Sequence, residues 1–242
     1  MPVALVTGAS RGIGRAIALQ LAEDGHDIAV GYVQQSAAAE QVAEQVRAAG
    51  RRAMTAGADL AESEAAERLV EAVERHLGPV DVLIANAGIV TSPTGVLDIT
   101  VEEWERMMAV NLRAPFLLAR RVFGGMCERG FGRIVFLSSV AAFTGGLIGA
   151  HYAASKAGLH GLCHSLSQQG ARQGVTVNVV APALVESDMI PRDPGVVKQL
   201  GASRPVGLLG KPEEIADLVV AIVRNGYLTN QSILIDGGAH PT

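Results

Sequence analysis

The chain is short of cysteine, of aromatic residues and of long apolar runs, and each shortage removes a class of protein. Its two cysteines, Cys127 and Cys163, share no C-x-x-C spacing, so neither a disulfide framework nor a thiolate zinc site is built in, and no metal is expected. A reducing, cytoplasmic setting fits that usage. The longest apolar stretches, such as L-V-V-A-I-V at 218–223, fall far below the roughly 20 residues that cross a bilayer, so no membrane segment is expected. Met1 leads almost directly into V-A-L-V and T-G-A-S without a basic leader, and export is not expected either. Charge is sparse at 18%, with a net charge of -4, which speaks against a general nucleic-acid binder. Repeats, low-complexity tracts and a linker are missing as well. With 242 residues, 49% of them hydrophobic, the chain is expected to form one domain, 1–242.

What is present alternates. Short apolar runs at 3–7, 27–32, 52–56, 81–85, 133–137, 176–181 and 232–236 are separated by longer Ala-rich, periodic segments. Strands buried on both faces read as uniformly apolar, and helices between them carry the crossovers of a parallel sheet. The pattern predicts an α/β, doubly wound fold with a seven-stranded parallel sheet and helices on both faces. Ser36 opens one helix and Gly50 closes it; Thr100 and Glu103 form a capping box, and Pro212 sits in a first turn. The Pro- and Gly-rich stretch 186–211 lacks a strand pattern and is expected to be a surface excursion serving as a substrate lid.

The first strand runs into T-G-A-S-R-G-I-G, with Gly8, Ser10, Arg11, Gly12, Ile13 and Gly14, and then into a helix. Glycines there allow a tight turn and close backbone approach, while the helix N-terminus favours a pyrophosphate. An acid at the end of the second strand would bind a ribose 2'-hydroxyl, but that strand ends G-Y-V-Q-Q-S, from Gly31 through Tyr32 to Ser36, and Asp27 stands at its other end. With Arg11 as a cation and Ser36 as a donor, this charge balance favours NADP(H) over NAD(H).

Tyr152 and Lys156 lie four residues apart in Y-A-A-S-K, on one face of one helical turn. A free phenol titrates near ~10. A neighbouring ammonium is expected to lower that value and make Tyr152 a usable general acid and base.

Together T-G-A-S-R-G-I-G, A-N-A-G at 85–88, Asn111, Ser139 and Y-A-A-S-K resemble the short-chain dehydrogenase/reductase family over essentially the whole chain. The resemblance implies a Rossmann-type nicotinamide-dinucleotide fold, in a homotetramer. It implies that Tyr152 protonates a substrate carbonyl oxygen, that Ser139 hydrogen-bonds the same oxygen, and that Lys156 also holds the nicotinamide ribose. Ser138 is chemically equal, but strand alternation points it the other way. Asn111 would kink its helix and order a water behind Lys156 in a proton relay. Cofactor contacts are implied at Asp59, Leu60, Asn86, Ala87, Gly88, Pro182, Val185 and Ser187. The chain departs from the family's pattern at Ala85 and at Ala183, where Asn and Gly are usual.

The sequence resembles β-ketoacyl carrier-protein reductases in particular, which implies β-ketoacyl thioester substrates, on carrier protein or CoA, and a place in fatty acid biosynthesis. Ser139, Phe143, Leu147, Ile148, Leu184 and Met189 are the pocket candidates. Another small ketone, a cyclic alcohol or a sugar stays open as substrate, and so does a dinucleotide-binding sensor without turnover. Arg120, Arg121, Arg129, Arg133 and Arg172 suit either an acidic acyl carrier protein or an ordinary solvated face. His160 and His164, one turn apart, could hold a metal but find no further ligands in any motif.

Overall fold

A computed structural model of the chain describes residues 1–186, 193–202 and 204–240. Seven parallel strands form one sheet in the order β3-β2-β1-β4-β5-β6-β7: β1 Val3–Val6, β2 Asp27–Tyr32, β3 Ala53–Gly57, β4 Val80–Ala85, β5 Gly132–Leu137, β6 Val175–Pro182 and β7 Ser232–Ile235. Between them run α1 Gly12–Glu23, α2 Ser36–Ala48, α3 Ala65–His76, α4 Val101–Met108, α5 Ala114–Arg129, α6 Ala141–Thr144, α7 Ala150–Gly170, α8 Pro194–Ala202 and α9 Pro212–Arg224. This is the doubly wound architecture that the alternation predicts, with strand ends displaced by a residue or two where the ladder hydrogen bonds stop.

Alternation along each strand builds two cores. Val3, Leu5, Leu83, Ile134, Phe136 and Val177 pack under α3, α5 and α7; Ala4, Val6, Val82, Ile84, Val135 and Leu137 pack under α1, α2 and α9. Phe136 is fully buried, and its truncation to Ala would cost about 3–5 kcal/mol.

Strand order reverses between β1 and β4, and in open α/β sheets ligands bind at the carboxyl ends beside such a switch point. Thr100 caps α4 as the sequence suggests: its hydroxyl accepts the Glu103 N–H at 3.1 Å while the Glu103 carboxylate accepts the Thr100 N–H. The excursion after β6 contains α8, which its composition had not indicated. Glu186 N–H donates to Gly210 at 2.8 Å and Gly210 N–H to Leu184 at 3.1 Å, so its two ends are pinned together. Ser187 and Met189 lie outside the described residues.

Candidate active site

At the end of β1 the chain builds a cradle from small residues and backbone. Gly8 and Gly12 have φ of 64° and 54°, a left-handed region open to glycine at little cost. A Cβ on Gly14 would stand 2.4 Å from the Gly8 carbonyl oxygen and 2.5 Å from Asn86 Nδ2, so only glycine fits. Asn86 Nδ2 donates to the Thr7 and Gly8 carbonyls at 2.9 and 3.1 Å, tying β4 to the turn. Thr7, whose role the sequence did not disclose, accepts the Asn86 and Ala87 N–H groups on its hydroxyl at 3.1 and 3.0 Å. The N-cap residue Arg11 does not cap α1 with its side chain, and the first N–H groups of the helix, which have no intrahelical acceptor, present the positive end of the helix dipole. The cradle fits a pyrophosphate.

Around it stand the other expected contacts. Tyr32 covers Gly57, whose Cβ would lie 3.3 Å from the phenol oxygen. Ser10 and Ser36 flank Gln35, which accepts from the Ser10 hydroxyl at 3.5 Å. Asp59 accepts the Ala61 N–H at 3.0 Å, and Leu60 beside it is buried. Asp27 is held at the far end of β2 by Arg52 at 2.8 Å. Leu184 O and Glu186 N make the bridge to Gly210, which leaves Val185's own backbone polar atoms out of it. Ala183 is not among the residues with positive φ, so its methyl group imposes no backbone strain.

The second cluster is made of side chains. Asn111 is fully buried in a π-helical turn, Ala109–Arg113, between α4 and α5; such turns recur at functional sites. Its Oδ1 accepts the Ile89 N–H at 2.8 Å, and its Nδ2 donates to Ile89 O at 3.0 Å and Ser155 Oγ at 3.3 Å. A Cβ on Gly88 would stand 3.3 Å from both Asn111 Oδ1 and Lys156 Nζ, so Gly88 keeps open the space between them. Lys156 is 5% exposed and donates to the Leu137 carbonyl at 2.8 Å. Ser139 stands two residues beyond β5, its hydroxyl accepting the Ala141 N–H at 3.2 Å, and its side chain acts on the Tyr152 phenol. Ser138, as alternation predicts, turns the other way, under α7, where it donates to the Lys156 carbonyl at 3.0 Å.

Electrostatics correct one expectation. Burial pushes the Tyr152 phenol above its ordinary value, with Ser139 the opposing influence; Lys156 does not lower it. The ammonium sits 5.9 Å from the ring centroid and is turned to a backbone carbonyl, while its own burial brings it down to about 8. Desolvation disfavours phenolate and ammonium alike. Tyr152 is therefore protonated at neutral pH, a proton donor in waiting.

Other candidates resolve into structure. His151 is 1% exposed and pairs through Nε2 with the Thr91 hydroxyl at 3.2 Å, covering the start of α7. His164 meets Asn230 at 2.6 Å, and no metal-ligand cluster occurs among the described residues. Of the arginines, Arg121 is paired with Glu67 and Glu74 and Arg129 with Asp81, while Arg133 is buried against backbone carbonyls. Two of the five arginines are thus neutralised internally. Phe143 packs edge-on against His160 with centroids 4.8 Å apart; Leu147 is 86% exposed, and Ile148 accepts the Thr94 N–H at 3.0 Å. A concavity of about 400 Å³ between β3 and α3, lined by Met54, Gly57, Arg68 and His76, contains none of the site residues, so polar convergence rather than cavity size locates the site. No helix among the described residues is long and apolar enough to cross a membrane.

The family model described as short chain dehydrogenase matches residues 2–194. The chain belongs to the short-chain dehydrogenase/reductase family. As a member it is an oxidoreductase acting on CH–OH and C=O groups. It is 38% identical over 245 residues to the short-chain dehydrogenase/reductase eriH of Hericium erinaceus, covering 98% of this chain and 96% of that protein. It is 36% identical over 240 residues to the 3-oxoacyl-(acyl-carrier-protein) reductase FabG of Staphylococcus aureus, covering 98% and 97%. Among solved structures, a blue fluorescent protein from a metagenomic library, in complex with NADPH, superposes with a TM-score of 0.92 at 37% identity, covering 99% of this chain and 98% of that one. In this short-chain dehydrogenase/reductase Ser139 follows β5, and Tyr152 and Lys156 stand one turn apart on α7.

Proposed function

We propose that the chain is an NADP(H)-dependent reductase that converts a ketone to a secondary alcohol, with β-ketoacyl thioesters as its leading substrates. The observation that carries this reading is a protonated, half-buried Tyr152 whose phenol feels the Ser139 side chain, one helical turn from the buried Lys156 and beside the glycine cradle. Gly8, Gly12, Gly14 and the bare N-terminus of α1 would hold the pyrophosphate, with Asp59, Leu60, Asn86 and Val185 along the rest of the dinucleotide. The nicotinamide, when bound, supplies the hydride. Tyr152 gives its proton to the carbonyl oxygen, and Ser139 donates a hydrogen bond to that oxygen as negative charge grows on it. Lys156 would return a proton to Tyr152, itself resupplied from solvent through a water that Asn111 orders; both side chains border the space kept open by Gly88.

Arg11 and Ser36, with no acid after Tyr32, support the 2'-phosphate form, as does the NADPH in the related structure. The kinship with a 3-oxoacyl-(acyl-carrier-protein) reductase and with the acetoacetyl-CoA reductase of Allochromatium vinosum supports the thioester, on an acidic carrier protein or on CoA; the exposed Leu147 and the partly exposed Leu184 offer apolar surface for an acyl chain. The excursion 186–211 would act as the lid, and a homotetramer in the cytoplasm completes the reading.

The test is NADPH oxidation with acetoacetyl thioesters, simple ketones, cyclic diketones and sugars. Turnover is expected to be fastest on the thioesters, with NADPH well ahead of NADH in kcat/KM. Consumption with none of these would return the chain to a binding role, and equal use of both cofactors would overturn the charge reading at Arg11.

A further inference from the structure

His160 lies one turn beyond Lys156 on α7 and faces the end of β5. Three hydrogen bonds pass through or beside it: Ser138 Oγ to the Lys156 carbonyl at 3.0 Å, His160 Nε2 with Ser138 Oγ at 2.9 Å, and His160 Nδ1 with Ser232 Oγ at 2.7 Å. Their directions follow from donor inventory alone. A carbonyl only accepts, so the single Ser138 proton goes to Lys156; Ser138 must then accept from His160, which places a proton on Nε2. Nδ1 of the neutral ring is left as an acceptor for the Ser232 hydroxyl. Burial and the neighbouring His164 both lower the His160 pKa, which agrees with a neutral ring. The ring of Phe143 packs edge-on against the imidazole, with centroids 4.8 Å apart.

We propose that His160 is a positioning residue: through Ser138 it clamps the turn of α7 that carries Lys156 to the end of β5, and so sets Ser139, Tyr152 and Lys156 relative to one another. Ser138 and Ser139 are adjacent in the chain. A shift of Ser138 away from α7 would therefore carry Ser139 with it, and the Lys156 ammonium would move relative to Leu137. Neither β5 nor α7 alone determines that register; the side chain between them does.

The inference rests on the reductase reading, and its test separates the two. Variants H160L, H160Q, S138A and S138A/H160L are compared with the parent chain using NADPH and acetoacetyl-CoA, each well below its own Tm. H160L is expected to lose kcat by roughly 10- to 100-fold, the scale of a displacement near 1 Å, with the NADPH Kd and the substrate KM little changed. H160Q, whose amide N–H can replace the imidazole donor, is expected to recover most of that loss. The double variant should be no slower than the worse single one, because both changes break one chain of bonds. Additive losses, no recovery in H160Q, or a lowered Tm with unchanged kcat would overturn the proposal. If the parent chain reduces no ketone, the functional reading fails, and nitrogen and carbon NMR shifts of the imidazole decide the clamp: a pure Nε2–H tautomer that changes in S138A supports it, and any other tautomer refutes it.

Discussion

The two halves of the site are built by opposite means. Around β1 and the start of α1, what matters is missing matter: Gly8 and Gly12 take left-handed backbone, Gly14 leaves room, and the polar work is done by backbone groups, the Thr7 hydroxyl and the Asn86 amide. Around β5 and α7, what matters is side chains driven into the interior. Lys156 and Asn111 are nearly or fully buried, and burial moves both Tyr152 and Lys156 toward their neutral forms. The cradle needs no ionisable group because a helix end and free N–H groups already favour an anion. The catalytic cluster needs ionisable groups and accepts their desolvation, because proton transfer requires a group that can release one.

Four changes would sharpen or break that contrast. The largest effect is expected for Tyr152→Phe, which removes only the phenol oxygen: kcat should fall by about 100- to 10,000-fold, while NADPH titration shows an unchanged Kd. Substantial turnover in that variant would mean the proton comes from elsewhere. In the cradle the sensitive change is an addition. Gly14→Ala would force a methyl group to 2.4 Å from the Gly8 oxygen, and both a loss of NADPH binding and about 1–3 kcal/mol of stability are expected from calorimetry and denaturant melts. Unchanged binding would show that the turn tolerates filling.

Lys156 gives a pH signature that the cradle should lack. Its folded value of about 8 lies below the ordinary 10.5, so between about pH 8 and 10 the unfolded chain binds more protons than the folded one. Stability from this group therefore rises with pH over that window. The raised Tyr152 value acts with the opposite sign above its ordinary 10.0. Without cofactor, Lys156→Met should flatten the rise, on the order of 2–3 kcal/mol, as followed by urea midpoints from pH 7.5 to 9.5. A parallel pH course in both proteins would mean that Lys156 is less desolvated than the structure indicates. The smallest effect is expected for Thr7→Val, which leaves the Asn86 and Ala87 N–H groups without their acceptor and should cost about 1–3 kcal/mol. Thr7→Ser, keeping the hydroxyl, should recover most of it; equal losses would assign the effect to packing instead.

Legibility followed the same division. The seven strands, the glycine turn and the Tyr–Lys spacing are local patterns of period and punctuation, and each reappears in the structure within a residue or two. Ser139 rather than Ser138 could be chosen because side chains alternate along β5. Thr7 was in plain sight in T-G-A-S, yet its use as a double acceptor depends on β4 lying alongside β1, far away in the chain. His160 had only a spacing without further ligands to recommend it; its partners Ser138 and Ser232 come to it from the end of β5 and from β7. The arginines read as a charged face, but the carboxylates of α3 and β4 fold onto Arg121 and Arg129.

The sequence by itself determined the doubly wound fold and singled out the proposed reacting groups, because hydrophobic period, glycine at crowded turns and residue spacing along one helix are local properties. Only the tertiary structure decided the state of those groups. Whether Lys156 lowers the Tyr152 pKa depends on how much water each keeps and where the ammonium points. Burial and the Leu137 carbonyl answer both questions, and neither can be read from four residues on a helix.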